Sequence, residues 1–180
     1  MSLCFFPDNT VLVNFGHINR LSLLGTLLPD RAWCEVVAQE CAESARVPGL
    51  ADLRHARDVF GEPLTPTDRE RDRTFDLRDQ MRKPGDAATK HVGEAETIAI
   101  VTSRGIKAVF ITDDKGAQAA ARGAGITVIT TWDLLKVAHR KGLITTAEAH
   151  ADAQSLESFD RGWPPCARSL TDFTRWITGT

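Results

Sequence analysis

Much that would assign this chain to a class directly is missing from it. No stretch approaches the ~18 or more consecutive apolar residues of a membrane helix. The N-terminus has no basic region followed by a long apolar run of the secretory kind, so the protein is expected in the cytoplasm. The four cysteines, Cys4, Cys34, Cys41 and Cys166, form no C-x-x-C pair and no zinc-like spacing with the five histidines. Cys4 and Cys34 lie in apolar stretches, where a free thiol behaves as a small hydrophobe, and reduced structural cysteines are expected. Positive charge is not in excess either: 22 Lys and Arg against 24 Asp and Glu leave a formal net charge of −2. A protein built mainly to hold RNA or DNA carries a basic signature, so the charge favours an enzyme that binds briefly, or one sheltered by a basic partner. No G-x-G-x-x-G follows the first strand, which argues against a dinucleotide-binding protein. No D-x-D follows it, since the residue two beyond Asp8 is Thr10, and this weakens a phosphatase with an aspartyl nucleophile.

What is present is an ordinary globular composition, 42% hydrophobic and 26% charged over 180 residues, enough for one domain with a real core. Leu3 to Phe6 is a short apolar run ending at Pro7-Asp8, consistent with a buried parallel strand, and Asn9 to Phe15 follows as a short helix. A second apolar segment, Leu21 to Leu28, stops at Pro29-Asp30, and Ala32 to Val37 leads into a helix carrying Glu40. Residues 50–66 contain several Gly and Pro breaks and look like helix interrupted by loops. Thr67 to Lys83 holds six basic and five acidic residues, the alternation of a solvated helix face. On the alternative view, Arg69, Arg71, Arg73, Arg78, Arg82 and Lys83 include phosphate contacts.

A helix over Glu94 to Arg104 is apolar on nearly every face at Ile98 to Val101 and should be deeply packed. The clearest βαβ unit comes next: strand Ala108 to Thr112, helix Gly116 to Arg122, and strand Thr127 to Thr130. The capping-box patterns Thr130-x-x-Asp133 and Thr145-x-x-Glu148 open two further helices, over 131–141 and up to about Phe159. After Gly162-Trp163-Pro164-Pro165, residues 169–178 form a last short helix or packed tail.

Four acids stand out: Asp8, Glu40, Glu94 and Asp114, each where a strand gives way to a helix or a helix begins. A βα alternation returns successive strand ends to one sheet edge, so their carboxylates can converge. Such a pocket suits hard divalent cations and phosphate-ester chemistry. Each acid also has a plainer reading. Asp8 can simply cap the next helix, and Glu94 in a first turn suits the helix dipole. A mid-helix Glu40 is usually a solvated surface residue. The Asp113-Asp114 pair is more telling, because two adjacent like charges are costly unless a cation offsets them. Glu94 and Glu96, two residues apart on a helix, point in different directions, so Glu94 is the first choice and Glu96 a second ligand or an ion-pair partner. The histidines are scattered and expected at the surface; His91, close to Glu94, is the one that could touch the site.

With these residues assembled, the chain resembles the PIN-domain family of nucleases. The matching segments are PDNTVLVNF, HVGEAETIAIV, and FITDDKGAQAAARGAGITVITTWDLL followed by AHRKGLIT, in the family's order, across roughly residues 3–150. The resemblance implies a three-layer α/β/α fold around a mainly parallel sheet of four to five strands. Residues 1–150 would be the PIN-like domain, and 151–180 a helical extension that packs on it or binds a partner. By position, the family's four acids fall on Asp8, Glu40, Glu94 and Asp114, and its small hydroxyl residue near the substrate on Thr10. The third acid is Asp in many members, and here it is Glu. The resemblance implies hydrolysis of RNA with Mg2+ or Mn2+ held by Asp8, Glu94, Asp113 and Asp114, with Glu40 orienting a water or a second ion. The chain looks closest to toxin-type members, which implies an antitoxin protein as partner and a homodimer. A catalytically silent PIN-like binding or structural module is the alternative.

Overall fold

Strand β1 (Cys4–Pro7) ends on a proline, and the chain passes through Asp8 directly into helix α1 (Asn9–His17). The computed structural model describes residues 3–165, 167 and 169–179; Cys166, expected to be a structural thiol, lies outside the described residues. Helices α2 (Leu21–Leu27) and α3 (Glu35–Ser44) follow, then a 3-10 turn over Ala51–His55 and the short α4 (Ala56–Phe60). Next come α5 (Asp68–Met81), α6 (Val92–Ser103), β2 (Ala108–Ile111), α7 (Lys115–Gly123) and β3 (Thr127–Ile129). Helices α8 (Thr131–Arg140), α9 (Thr146–Ser158) and α10 (Leu170–Thr178) complete the chain. Among the described residues, no helix is long and apolar enough to cross a membrane.

The sheet is parallel in the order β1-β2-β3, with Phe6 opposite Phe110 and Phe110 opposite Val128. Among the described residues, three strands therefore stand where four to five were expected. The outer places are occupied by isolated bridges, Phe5 with Arg31 and Cys34 with Leu64. Phe5 N–H donates to the Asp30 carbonyl, Ala32 N–H to Phe5, and on the other side Leu64 N–H donates to Trp33. Residues 30–34 thus run between β1 and Leu64 without becoming a strand. Pro29, Pro63 and Pro66 bracket these stretches, and a residue without an N–H cannot extend a ladder. The Arg31 guanidinium donates to the carbonyls of Gly25, Leu28 and Val59, which ties the end of α2 to α4.

Strand β2 is buried throughout, and its alternation divides the core into two layers. Val109 and Ile111 pack among residues of α1, α2, α3 and α8. Ala108 and Phe110 pack on the other face with Ile98 and Val101 of α6, and with Ala117 and Ala121 of α7. Helix α6 is apolar nearly all round because it is enclosed nearly all round: Gly93 through Val101 are buried without a break. At the C-terminal end, α9 runs unbroken through residue 150, and Phe173 and Ile177 of α10 sit in the same core cluster as Leu134 and Leu156. The Trp176 ring meets Trp132 nearly edge-on at 6.4 Å and carries the Lys136 ammonium 4.7 Å from its centroid. Cys34 and Cys41 are buried free thiols; burial pushes Cys41 up to about 12 and raises Cys34 further, so both are inert at neutral pH.

The charged helix α5 is mostly solvated, with one exception that matters for stability. Glu70 is buried at the end of a capping box: Thr67 N–H donates to its Oε2 at 2.8 Å, while Glu70 N–H donates to the Thr67 hydroxyl. Arg104, the residue that closes α6, grips the same carboxylate with Nε and Nη2, each at 2.8 Å. These bonds hold the Glu70 carboxyl down at about 2, below its ordinary 4.5. Its contribution is present above 4.5 and is lost as pH falls toward 2. Glu70→Gln should therefore lower stability at neutral pH by about 1–3 kcal/mol, since Arg104 keeps donors without a charged acceptor. Urea titrations of the two proteins should converge at the acid end.

Candidate functional site

Strands β1 and β2 finish side by side, Pro7 opposite Ile111, so the residues that follow them emerge at one edge of the sheet. Asp8 N–H donates to the Ile111 carbonyl at 2.9 Å, which fixes its backbone there. The Asp8 side chain is 2% exposed. Its Oδ1 accepts from Asn9 N–H at 2.7 Å, and its Oδ2 accepts from the hydroxyls of Thr10 at 2.6 Å and Thr112 at 3.2 Å. Burial raises the Asp8 carboxyl above its ordinary value, opposed by these donors. Thr112, wholly buried, also accepts from Asp114 N–H at 3.2 Å. One hydroxyl therefore joins the two strand-end acids, a role that its place in the strand did not reveal.

The adjacent acids of the second strand end diverge. Asp114 caps α7, with Oδ1 accepting from Ala117 N–H at 2.8 Å. Asp113 bonds to other elements: its Oδ1 accepts from Thr131 N–H at 3.0 Å, and its Oδ2 accepts from the Thr131 hydroxyl and from Asn14 Nδ2 at 2.8 Å. Both of its oxygens are committed to docking the first turn of α8 onto α1. The loop after α9 completes that junction, because Arg161 Nε donates to Asn14 Oδ1 at 2.6 Å and its Nη2 to the Thr10 carbonyl at 3.1 Å.

Glu94 lies in the first turn of α6 and is 9% exposed. Burial pushes its carboxyl up to about 8, and the charges of Asp8, Asp114 and Glu40 push in the same direction. Glu40 is raised to about 7 by burial, then by Asp8, Glu43 and Glu96. The charges of Asp8, Asp114 and Glu40 thus meet at Glu94, and Glu40 is half-buried rather than a solvated mid-helix residue. Gly93 makes this possible: a Cβ there would lie 3.1 Å from both Glu40 Oε2 and Val37 Cγ2. The missing Cβ leaves room for α3 to set Glu40 against the start of α6, where any side chain would make Glu40 and Val37 shift by a few tenths of an ångström. Glu96 points elsewhere, its Oε1 accepting from Val36 N–H at 3.0 Å in the first turn of α3. His91, immediately before α6, joins the group: ligand-type atoms of His91, Glu94 and Asp114 all lie within 4.8 Å of one another.

A family model described as a PIN domain matches residues 5–156. The chain belongs to the PIN-domain family. No curated protein and no solved structure matches it. PIN domains are generally nucleases, hydrolases of nucleic acid that typically use divalent metal ions. In this PIN domain the ligand-type atoms that come together are those of His91, Glu94 and Asp114, and the two carboxylates among them suit a divalent metal ion. A cleft of about 280 Å3 opens at this point, lined by His91, Asp113 and Asp114 together with Lys83, Lys90 and Lys115. Three ammonium groups beside a cluster of acids suit a phosphate ester that would otherwise be repelled.

The elevated carboxyls have a consequence for folding. Because Glu40 and Glu94 hold protons in the folded chain up to about 7 and 8, against an ordinary 4.5, the native state binds more protons than the unfolded one across that window. Stability of the metal-free protein should therefore fall as pH rises through the window, the reverse of the usual carboxylate trend. Thermal unfolding in a chelator across this range should show the decline, and Glu94→Gln should flatten it. A Tm that rises with pH in wild type would refute the arrangement of charges.

Proposed function

We propose that this PIN domain is a metal-dependent endoribonuclease that hydrolyses RNA phosphodiester bonds with Mg2+ or Mn2+. The observation that carries this reading is the gathering of acids from separate elements: Asp8 after β1 and Asp114 after β2 at one sheet edge, Glu94 of α6 in reach of Asp114, and Glu40 of α3 against the start of α6. An uncompensated cluster of this kind calls for a multivalent cation. Asp8, Glu94 and Asp114 are the residues to hold the ion, and Glu40 the one to orient a water beside it. A divalent ion bound there supplies a more acidic water and offsets charge on the phosphoryl oxygens.

The chain's own contribution is preorganisation. Thr10 and Thr112 fix the Asp8 carboxylate, which leaves Thr10 both a holder of Asp8 and the residue to meet the substrate, and the α7 cap fixes Asp114. Asp113 acts indirectly, by fastening α8 behind the site. Lys83, Lys90 and Lys115 guide the phosphate backbone into the cleft. Resemblance to toxin-type members supports the toxin of a toxin–antitoxin module, with an antitoxin protein and a second copy of the chain as partners. On this reading residues 1–150 are the nuclease and 151–180 a helical addition to it. A silent PIN-like module is less well supported, because among the described residues no Arg or Lys pairs with Asp8, Glu40, Glu94 or Asp114 to block the pocket.

Single-stranded RNA should be cleaved with Mg2+ or Mn2+ and left intact in chelator. Asp8→Asn and Asp114→Asn should each lower the rate by on the order of 100-fold or more. Asn remains a good N-cap, so both variants should keep the wild-type circular dichroism spectrum. Undiminished cleavage by both would sink the assignment.

A further inference from the structure

We infer that His91 is a nitrogen ligand of the metal centre, and that it tilts the site from Mg2+ toward Mn2+ and the later first-row divalent ions. This rests on the reading of the acidic pocket as a cation site and adds to that pocket a residue that the four acids do not supply. His91 has a left-handed backbone, φ 67°, directly ahead of the first residue of α6. Such a conformation is uncommon for a residue with a side chain and is kept where the surroundings demand it. The residue is 8% exposed, and its Nδ1 is fully buried without a hydrogen-bond partner. A buried polar atom left in this state is itself a sign of something that completes it.

Glu94 Oε2 lies 3.3 Å from that nitrogen, yet the pair lacks hydrogen-bond geometry, as two atoms facing a common third position would. The opposite ring nitrogen, Nε2, stands 3.8 Å from Asp86 Oδ2. Asp86 is in turn fixed by Lys83 N–H at 2.8 Å and by the Lys90 ammonium at 2.6 Å. Asp86 is too far from the ring for a hydrogen bond at this distance, but it places a carboxylate toward Nε2, the kind of partner that orients a metal-binding histidine once it closes to hydrogen-bond distance. Carboxylates alone suit Mg2+, whereas an imidazole added to them raises the relative affinity for Mn2+, Co2+ and later ions.

The test is metal binding by the full chain, without substrate. Calorimetric titration with Mn2+ and with Mg2+ would compare wild type with His91→Gly, which accepts a positive φ, and with His91→Asn. Wild type should prefer Mn2+. Both variants should lose on the order of 10- to 100-fold in Mn2+ affinity, with Mg2+ affinity changed far less. Pulsed electron paramagnetic resonance of Mn2+-loaded wild type should show coupling to a histidine nitrogen, and this readout needs no variant to fold. Absence of that coupling, or an unchanged Mn2+ to Mg2+ ratio in the variants, would overturn the role of His91 and leave the acidic site standing. If wild type bound neither ion, the cation-site reading would fall, and this inference with it.

Discussion

Burial makes Asp8, Glu40 and Glu94 harder to ionise, and for the two glutamates the charges of neighbouring acids add to the penalty, so that Glu40 and Glu94 stand near 7 and 8. Left to themselves, such side chains would swing apart into water. They stay together because each is anchored by something other than its neighbours. Asp8 and Asp114 are fastened by helix-start amides and by the shared Thr112 hydroxyl. Glu94 is carried by α6, a helix enclosed on nearly every side. Glu40 is brought in by the close passage of α3 over Gly93. Repulsion at the site is thus offset by the core, through β2 and the helices packed on its two faces.

The same constraint explains the buried polar junction behind the site. The start of α8 has to reach the end of β2 without bringing another bare charge into the pocket. Asp113 achieves this by spending both oxygens on Thr131 and Asn14, and Asn14 is held in turn by Arg161. Arg161 lies beyond the residues matched to the family, yet it also grips the Thr10 carbonyl, two residues from Asp8. The C-terminal segment is therefore coupled to the site through α1 and not only through its own apolar packing in α10.

Features set by short-range rules were legible in the sequence. The β2-α7-β3 unit and the capping boxes at Thr130 and Thr145 are such features, because a cap needs only the residues three positions apart. Thr67-x-x-Glu70 carries the same signature, but it lay hidden in a charge run, and its burial depends on Arg104, 34 residues away. The strand count was not legible, since whether residues 30–34 and Leu64 extend the sheet depends on prolines beside them and on the neighbours they meet. Nor could adjacency alone say which of Asp113 and Asp114 is taken up by internal bonds; Thr131 and Asn14 decide that it is Asp113. Glu40 looked like a surface residue because its own helix gives no sign of what lies across from it. The sign was at Gly93, a glycine opening an otherwise apolar helix.

Capping and metal binding were posed as competing explanations for Asp8, yet at Asp8, as at the cap Asp114, one carboxylate can do both. A cap uses a carboxylate oxygen to satisfy an amide that has no partner inside the helix. In doing so it fixes the side-chain rotamer, and a fixed carboxylate loses less entropy on binding an ion than a free one. The amide also stabilises the ionised form, opposing the rise that burial imposes on Asp8. A strand end followed at once by a helix therefore supplies both the anchor and the charge. For this reason the acids that follow the strands, rather than the five acids of α5, stand at the pocket.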